Sequence, residues 1–383
     1  MNGLFAQLAG KRVVCCVGSG GVGKTTAAAA IGVQAAIAGK RVLVLTIDPA
    51  RRLANSLGLE SLGNRETRIE PAQFRTAGLE PKGEMHAMML DLKLTWDELV
   101  ARTAPDRERA QTILDNRIYK TLSTAMAGSL EYMAMEKVYE LSSSGRYDLV
   151  VLDTPPTSNA LDFLHAPDKI LDLLENDAAR LVLGPMLTAG KIGLKLFNLG
   201  SSFVLKTLAR FTGGDFLKDL ASFMVAFEGM YDGFKDRAGK VKALLAGKDA
   251  AFVLVTSPNP QVIDEALFFH RTLLENGIKA ASVIVNRFER DPLRYGGAEA
   301  LGPMQEALAL AGLNDAGAPP LSARLTATLQ EQATLADLDR RQVERLRHTL
   351  AGVPIFCVPR LRRDVHDLAG LWQIDGYLGG EED

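Results

Sequence analysis

The chain has 383 residues, 47% of them hydrophobic, and a formal net charge of -2, enough for a large buried core in one domain or in a domain carrying an insertion. The near-neutral balance offers no electrostatic footprint for nucleic acid, and no run of about 18 uncharged apolar residues marks a membrane-spanning helix. Met1 to Gly10 lack a basic stretch followed by a long apolar one, so the expectation is a cytoplasmic protein without a secretory signal.

In chain order, "RVVCCVG" (Arg12 to Gly18) reads as a buried strand. "TTAAAAIGVQAAIAG" follows as an alanine-rich helix ending at Gly39, a residue suited to the position just past a helix end. "RVLVLTID" (Arg41 to Asp48) is a second strand, and "EMHAMMLDL" a weaker one. "YDLVVLD" (Tyr147 to Asp153), "AFVLVTS" (Ala251 to Ser257), "ASVIVN" (Ala281 to Asn286) and "PIFCVP" (Pro354 to Pro359) complete the set. Apolar runs without alternation suit strands covered on both faces. Their alternation with helical patterns predicts an α/β fold, a doubly wound and mostly parallel sheet.

Between about Leu161 and Lys248 the rhythm breaks. Apolar residues recur there at helical spacing, with lysines and glycines interleaved, so 161-248 is expected to be a helical insertion in a core formed by 1-160 and 249-383. Cys15, Cys16 and Cys357 lie in strand-like runs, an odd count without spaced pairs. They read as buried strand residues rather than disulfide partners or zinc ligands. The five histidines are scattered and suggest no site.

The chemistry concentrates in "GSGGVGKTT". Gly18, Gly23, Lys24 and Thr25 fit G-x-x-x-x-G-K-[ST], placed between a strand and a helix as that motif requires. Glycines let backbone N–H groups close around phosphate oxygens, and the following helix turns its positive end toward them. The expected nucleotide-binding residues are Gly20, Gly21, Val22, Gly23, Lys24, Thr25 and Thr26. Lys24 reaches the β- and γ-phosphates, and the Thr25 hydroxyl ligates magnesium. The expected ligands are therefore ATP and Mg2+.

A rival pattern overlaps it: Gly18, Gly20 and Gly23 also satisfy G-x-G-x-x-G, with Asp48 ending the second strand as in dinucleotide folds. That pattern has no need of Lys24 and Thr25, nor of "DLVVLDTPP", a strand ending in a carboxylate suited to a magnesium shell.

Two acids follow strands. Asp48 opens "DPARRLANSLG", where it can orient the attacking water or contact the magnesium shell; alternatively it caps a helix, since aspartate before proline is a good helix start. Asp153 opens "DTPPTSNALDFL". Asp153, Thr154, Pro155 and Pro156 would form a second switch, stiffened by its prolines and leading into the insertion. Asp153 is expected near the metal, directly or through water.

With "GSGGVGKTT", "TIDPARRLANSLG", "YDLVVLDTPPTSNALDFLHAP", "TSPNPQVIDEALFFHRTLLENGI", "VIVNRF" and "VPRLRRDVHDLAGL" in this order, the chain resembles the arsenite-pump/tail-anchored-protein-targeting ATPase family. The resemblance covers most of the chain. It implies a homodimeric ATPase with nucleotides face to face, Asp48 as the water-activating acid, and Asp153 in the second switch. It assigns adenine recognition to Asn286 and to the loop at Pro359 and Arg360. An asparagine offers a purine edge both donor and acceptor, but a structural strand-end role for Asn286 is also open.

Departures from the family pattern are equally informative. Dimer-using members carry, at the position of Ser19, a lysine that reaches the partner's phosphates. Serine cannot supply that charge; Arg51 and Arg52 are possible substitutes, or simply a solvated pair. The targeting members clamp their dimer with zinc at a C-x-x-C pair after the "VIVN" strand; Arg287 to Leu350 contain no cysteine, so no zinc is expected. In the targeting relatives, helices at the place of the insertion form a groove for hydrophobic segments. Met186, Leu187, Ile192, Leu194, Leu196, Phe197, Phe203, Val204, Leu205, Phe223, Met224, Phe227, Met230 and Phe234 would suit a hydrophobic helix or a membrane-associated client, or the insertion's own core. A positioning switch like the septum-site and plasmid-partition relatives is the alternative function.

Overall fold

A computed structural model describes residues 3–48, 51–125, 129–155, 230–292 and 321–379, with single positions 219, 222, 223, 226, 294, 303, 306 and 307. The described elements are α1 (Leu4–Gln7), β1 (Val13–Val17), α2 (Lys24–Ile37), β2 (Arg41–Thr46), α3 (Arg52–Ser56), β3 (Thr67–Ile69), α4 (Pro71–Thr76) and β4 (Glu84–Met89). Then come α5 (Leu92–Thr103), α6 (Arg107–Asp115), α7 (Arg117–Ala125), α8 (Ser129–Ser143), β5 (Leu149–Asp153), α9 (Tyr231–Ala246) and β6 (Ala250–Thr256). The series closes with α10 (Pro260–Glu275), β7 (Ala280–Phe288), α11 (Leu321–Thr349), β8 (Ile355–Pro359) and α12 (Leu368–Leu378).

The eight strands form one sheet in the order β3-β4-β2-β5-β1-β6-β7-β8. Every neighbouring pair is parallel except β3 with β4. The expected doubly wound parallel sheet is therefore present. The sequence reading did not include β3, whose "TRI" has three residues with a charge in the middle; neither length nor alternation marks so short a piece.

Successive side chains of a strand point to opposite faces, and both faces are covered. Val13, Cys15 and Val17 join a core layer with residues of α5, α8, α9, α10 and α11; Val14 and Cys16 join the other, built on α2 and α12. Cys15 and Cys16 are fully buried, as the sequence suggested, and burial pushes the Cys15 thiol up to about 12, which leaves it inert; Cys357, in β8, is only half-buried. Helix α2 comes close to the sheet because Gly32 has no side chain: a Cβ there would lie 2.5 Å from Val44 Cγ2. Gly39 ends the helix with φ 95°, in line with its predicted role.

Most of the expected insertion, including Met186 to Leu205, Met224 and Phe227, lies outside the described residues. Phe223, Met230 and Phe234 are described, and all three are buried in the core layer shared with α8. Helix α9, within 161-248, packs on α8 and β6. Its Phe234 ring lies 6.1 Å from that of Trp96. Its Arg237 donates two hydrogen bonds to the buried Glu136 of α8, an ion pair that ties this helix to the sheet layer. Among the described residues, no helix is long and apolar enough to cross a membrane.

One buried acid has a measurable consequence for stability. Asp375 of α12 is 4% exposed, and its Oδ1 lacks a hydrogen-bond partner. Burial pushes its carboxyl up to about 7. The folded chain thus holds a proton that the unfolded chain releases near pH 4, so stability falls as pH rises from about 4 to about 7. Asp375→Asn is expected to flatten that slope. Its stability gain over wild type should be near zero at pH 4 and reach about 2–4 kcal/mol at pH 8, read by urea unfolding. Parallel pH profiles for the two proteins would show that Asp375 is not held protonated.

Candidate functional site

The ends of β1, β2 and β5 bring the predicted residues together. In the sheet register Cys16 pairs with Asp153, and Thr46 pairs with Asp153 from the other side. The loop after β1 therefore opens beside the carboxyl ends of β2 and β5, where ligands gather in open α/β sheets.

The loop needs its glycines for two separate reasons. At Gly18 a Cβ would lie 2.0 Å from the Val255 carbonyl oxygen of β6, a backbone that cannot yield. Gly23 has φ 100°, and a Cβ there would lie 2.2 Å from Asn286 Nδ2. Asn286 in turn donates from Nδ2 to the Val22 carbonyl at 2.8 Å, and its Oδ1 accepts from the Arg287 N–H at 2.9 Å. The end of β7 thus braces the loop.

Lys24, 6% exposed, donates from Nζ to the carbonyls of Gly18 at 2.9 Å and Ser19 at 2.8 Å. Its amine is held inside the loop curl rather than in solvent. Burial lowers its pKa, against the opposing pull of the Asp153 carboxylate. Thr25 Oγ1 donates to Asp153 Oδ2 at 2.8 Å. Asp153 is fully buried, and burial pushes its carboxyl up to about 6 although Thr25, Thr46 and Lys24 draw it down.

Its other oxygen, Oδ1, is buried without a hydrogen-bond partner. A hydroxyl, a carboxylate and an orphaned carboxylate oxygen are the donor set that magnesium and its waters use. The residues fit that ion: Thr25 would hold it directly, and Asp153 through water. Thr154, next in the chain, donates from Oγ1 to the Cys16 carbonyl at 2.8 Å. Pro155 follows it, and Pro156 lies outside the described residues.

Thr46 was not singled out from the sequence. Its Oγ1 donates to Asp153 Oδ2 at 2.8 Å and accepts from the Asp48 N–H at 3.2 Å. One hydroxyl thereby links Asp48 and Asp153. A threonine ending an apolar strand, two residues before an acid, is the signal that marks it.

Asp48 does not cap α3. The position before that helix is Arg51, in the left-handed region with φ 52° and ψ 12°, an uncommon conformation for a residue with a side chain. The Asp48 carboxylate instead faces Arg52, 3.4 Å from its Nη1. Ser19, where the family lysine is expected, donates from Oγ to Glu265 of α10.

Pro359 and Arg360 end β8 beside a cleft of about 650 Å³, lined also by Arg290, Arg362, Arg363 and Tyr377. Arg360 pairs with Glu289 at 2.8 Å, and Arg290 stacks on the Tyr377 ring at 4.9 Å. Asn286 sits at the phosphate loop and not in the lining of this cleft.

A family model described as anion-transporting ATPase matches residues 11–293. A relative from Prosthecochloris vibrioformis, provisionally named an arsenical pump-driving ATPase, is 32% identical over 163 residues, covering 42% of this chain and 36% of its own length. The ATPase GET3 of Kluyveromyces lactis is 29% identical over 233 residues, 56% of this chain and 64% of its own. The ATPase GET3C of Arabidopsis thaliana is 26% identical over 279 residues, 70% and 65%. The matches thus span from about a third to two thirds of the length of these curated relatives.

Proposed function

Because this chain belongs to the anion-transporting ATPase family, we propose that it is a magnesium-dependent ATP hydrolase acting as a homodimer, whose turnover rearranges the helical region 161-248 to handle a hydrophobic or membrane-associated protein client. The observation that carries the catalytic part is the convergence of Lys24, Thr25, Thr46 and Asp153 at three strand ends, with one Asp153 oxygen buried and unpartnered.

In this reading Lys24 exchanges the Gly18 and Ser19 carbonyls for β- and γ-phosphate oxygens. The N–H groups of Gly20 through Thr26 surround the phosphates. Asp48, positioned by the Thr46 hydroxyl and by Arg52, orients the attacking water and accepts its proton. Magnesium, when bound, supplies charge neutralisation of the triphosphate; Thr25 would hold it, with Asp153 and Asp48 acting through water. Asn286, Pro359 and Arg360 form the adenine end. The Asn286 amide keeps a second hydrogen and a second lone pair beyond those it spends on Val22 and Arg287, which suits a purine edge. The cleft beside Pro359 and Arg360 supports the placement of those two residues; Asn286, outside its lining, would approach the base from the loop side at Val22.

The test is ATP turnover by the purified chain at several protein concentrations, with magnesium and with excess chelator. Turnover is expected only with magnesium, and the rate per chain should rise with concentration as dimers form. Hydrolysis that survives chelation counts against the metal assignment. A rate per chain that stays flat from nanomolar to micromolar protein, together with a monomeric mass when nucleotide is bound, counts against the homodimer.

A further inference from the structure

The ATPase reading leaves a charge unaccounted for. Position 19 holds a serine, and its hydroxyl is bonded to the Glu265 carboxylate, so that point of the loop carries negative rather than positive character. Lys24 and Thr25 stand at Asp153, and Arg52 stands at Asp48, the second acid beside this loop. A phosphoryl group in transfer needs cations placed at its developing negative charge, and Arg52 is a cation at that end of the site.

Arg52 has two features that bear on that need, its contact with Asp48 and the turn that precedes it. It is the first residue of α3, four residues after the switch acid, and its Nη1 lies 3.4 Å from Asp48 Oδ2, so its guanidinium stands at the water-activating acid. The contact is long, and the Arg52 side chain is 57% exposed; an ion pair so exposed is weak, and a phosphate offers a guanidinium a better-matched partner. Arg51, just before it, adopts the left-handed conformation, uncommon for a residue with a side chain.

We propose that Arg52 is a catalytic residue of this ATPase, a cation supplied in cis that leaves Asp48 and contacts the γ-phosphate as the phosphoryl group transfers. The proposal rests on the nucleotide-site reading above. It places in one subunit a role that the dimeric relatives are expected to fill from the partner through the lysine missing at Ser19. A planar guanidinium can engage two phosphoryl oxygens at once, and Asp48 is freed for water by the same movement. No bond is made or broken by Arg52 itself; its part is electrostatic.

The experiment compares wild type, Arg52→Ala and Arg52→Lys for three quantities: ADP affinity, ATP turnover, and affinity for ADP with magnesium and aluminium fluoride, which mimics the transferring phosphoryl group. Arg52→Ala is expected to lose on the order of 10²-fold or more in kcat and a similar factor in the aluminium fluoride complex, while ADP affinity stays within about threefold. Arg52→Lys should recover part of the loss.

Turnover of Arg52→Ala within about threefold of wild type would overturn the proposal. An equal loss of ADP affinity in Arg52→Ala would do so too, since it would assign the effect to ground-state binding or to the loop. If Arg52→Ala costs nothing further in an Asp48→Asn background, Arg52 acts only by positioning Asp48 and the catalytic assignment is likewise overturned. Wild-type protein that neither binds ADP nor hydrolyses ATP refutes the nucleotide-site reading instead, before any variant is compared.

Discussion

Lys24→Ala is expected to lower ATP turnover by about 10³-fold or more, because it removes the buried cation that reaches the transferring phosphates. That amine also closes the loop curl by bonding the Gly18 and Ser19 carbonyls. The alanine variant therefore loses a loop brace as well as a phosphate contact. The two losses separate in measurement. A phosphate contact shows as weakened ATP binding and a collapsed kcat, while a brace alone shows as a lower melting temperature of the free protein. Turnover at the wild-type rate, with the variant folded, would remove the phosphate loop from the catalytic site.

Asp48→Asn is the second large effect, and of a different kind. The Asn side chain keeps the size of the original and leaves the backbone N–H free to donate to Thr46 Oγ1 as before. It loses only the ability to take a proton and to carry charge. A general base contributes about 10² to 10⁴ in rate, so kcat should fall by that range while ATP binding stays within a few fold. The Arg52 guanidinium loses its charged partner in the same variant, which if anything strengthens nucleotide binding by releasing a cation toward the phosphates. Loss of ATP binding in step with kcat would show that Asp48 holds the nucleotide or the loop rather than activating water.

Much of this site was legible before any fold was known. The glycine spacing, Lys24 and Thr25 carry the phosphate loop in one contiguous stretch, and Asp48 and Asp153 each end an apolar run that could only be a buried strand. Thr46 escaped notice because its two partners, Asp153 and the Asp48 N–H, become a pair only when β2 and β5 lie side by side. The helix-cap alternative for Asp48 failed for a local reason that pattern reading does not foresee: Arg51 takes the left-handed turn and starts the helix later. Ser19 was noticed for what it lacks, while its actual partner, Glu265, sits on a helix 246 residues away.

The sequence by itself determined the fold class, the glycine-rich loop between β1 and α2, and the levels in the chain at which two acids emerge. Each is a short-range pattern: strand-length apolar runs, helix periodicity, and glycines where backbone must close on an anion. Tertiary structure alone decided the strand order and hence which ends meet. It set the Asn286 amide against Gly23, buried Asp153 with one oxygen unsatisfied, turned Glu136 toward Arg237, and brought Arg52 to Asp48. These contacts depend on packing between segments distant in sequence, or, for Arg52, four residues from Asp48, on the left-handed turn at Arg51. Neither is encoded in the identity of adjacent residues.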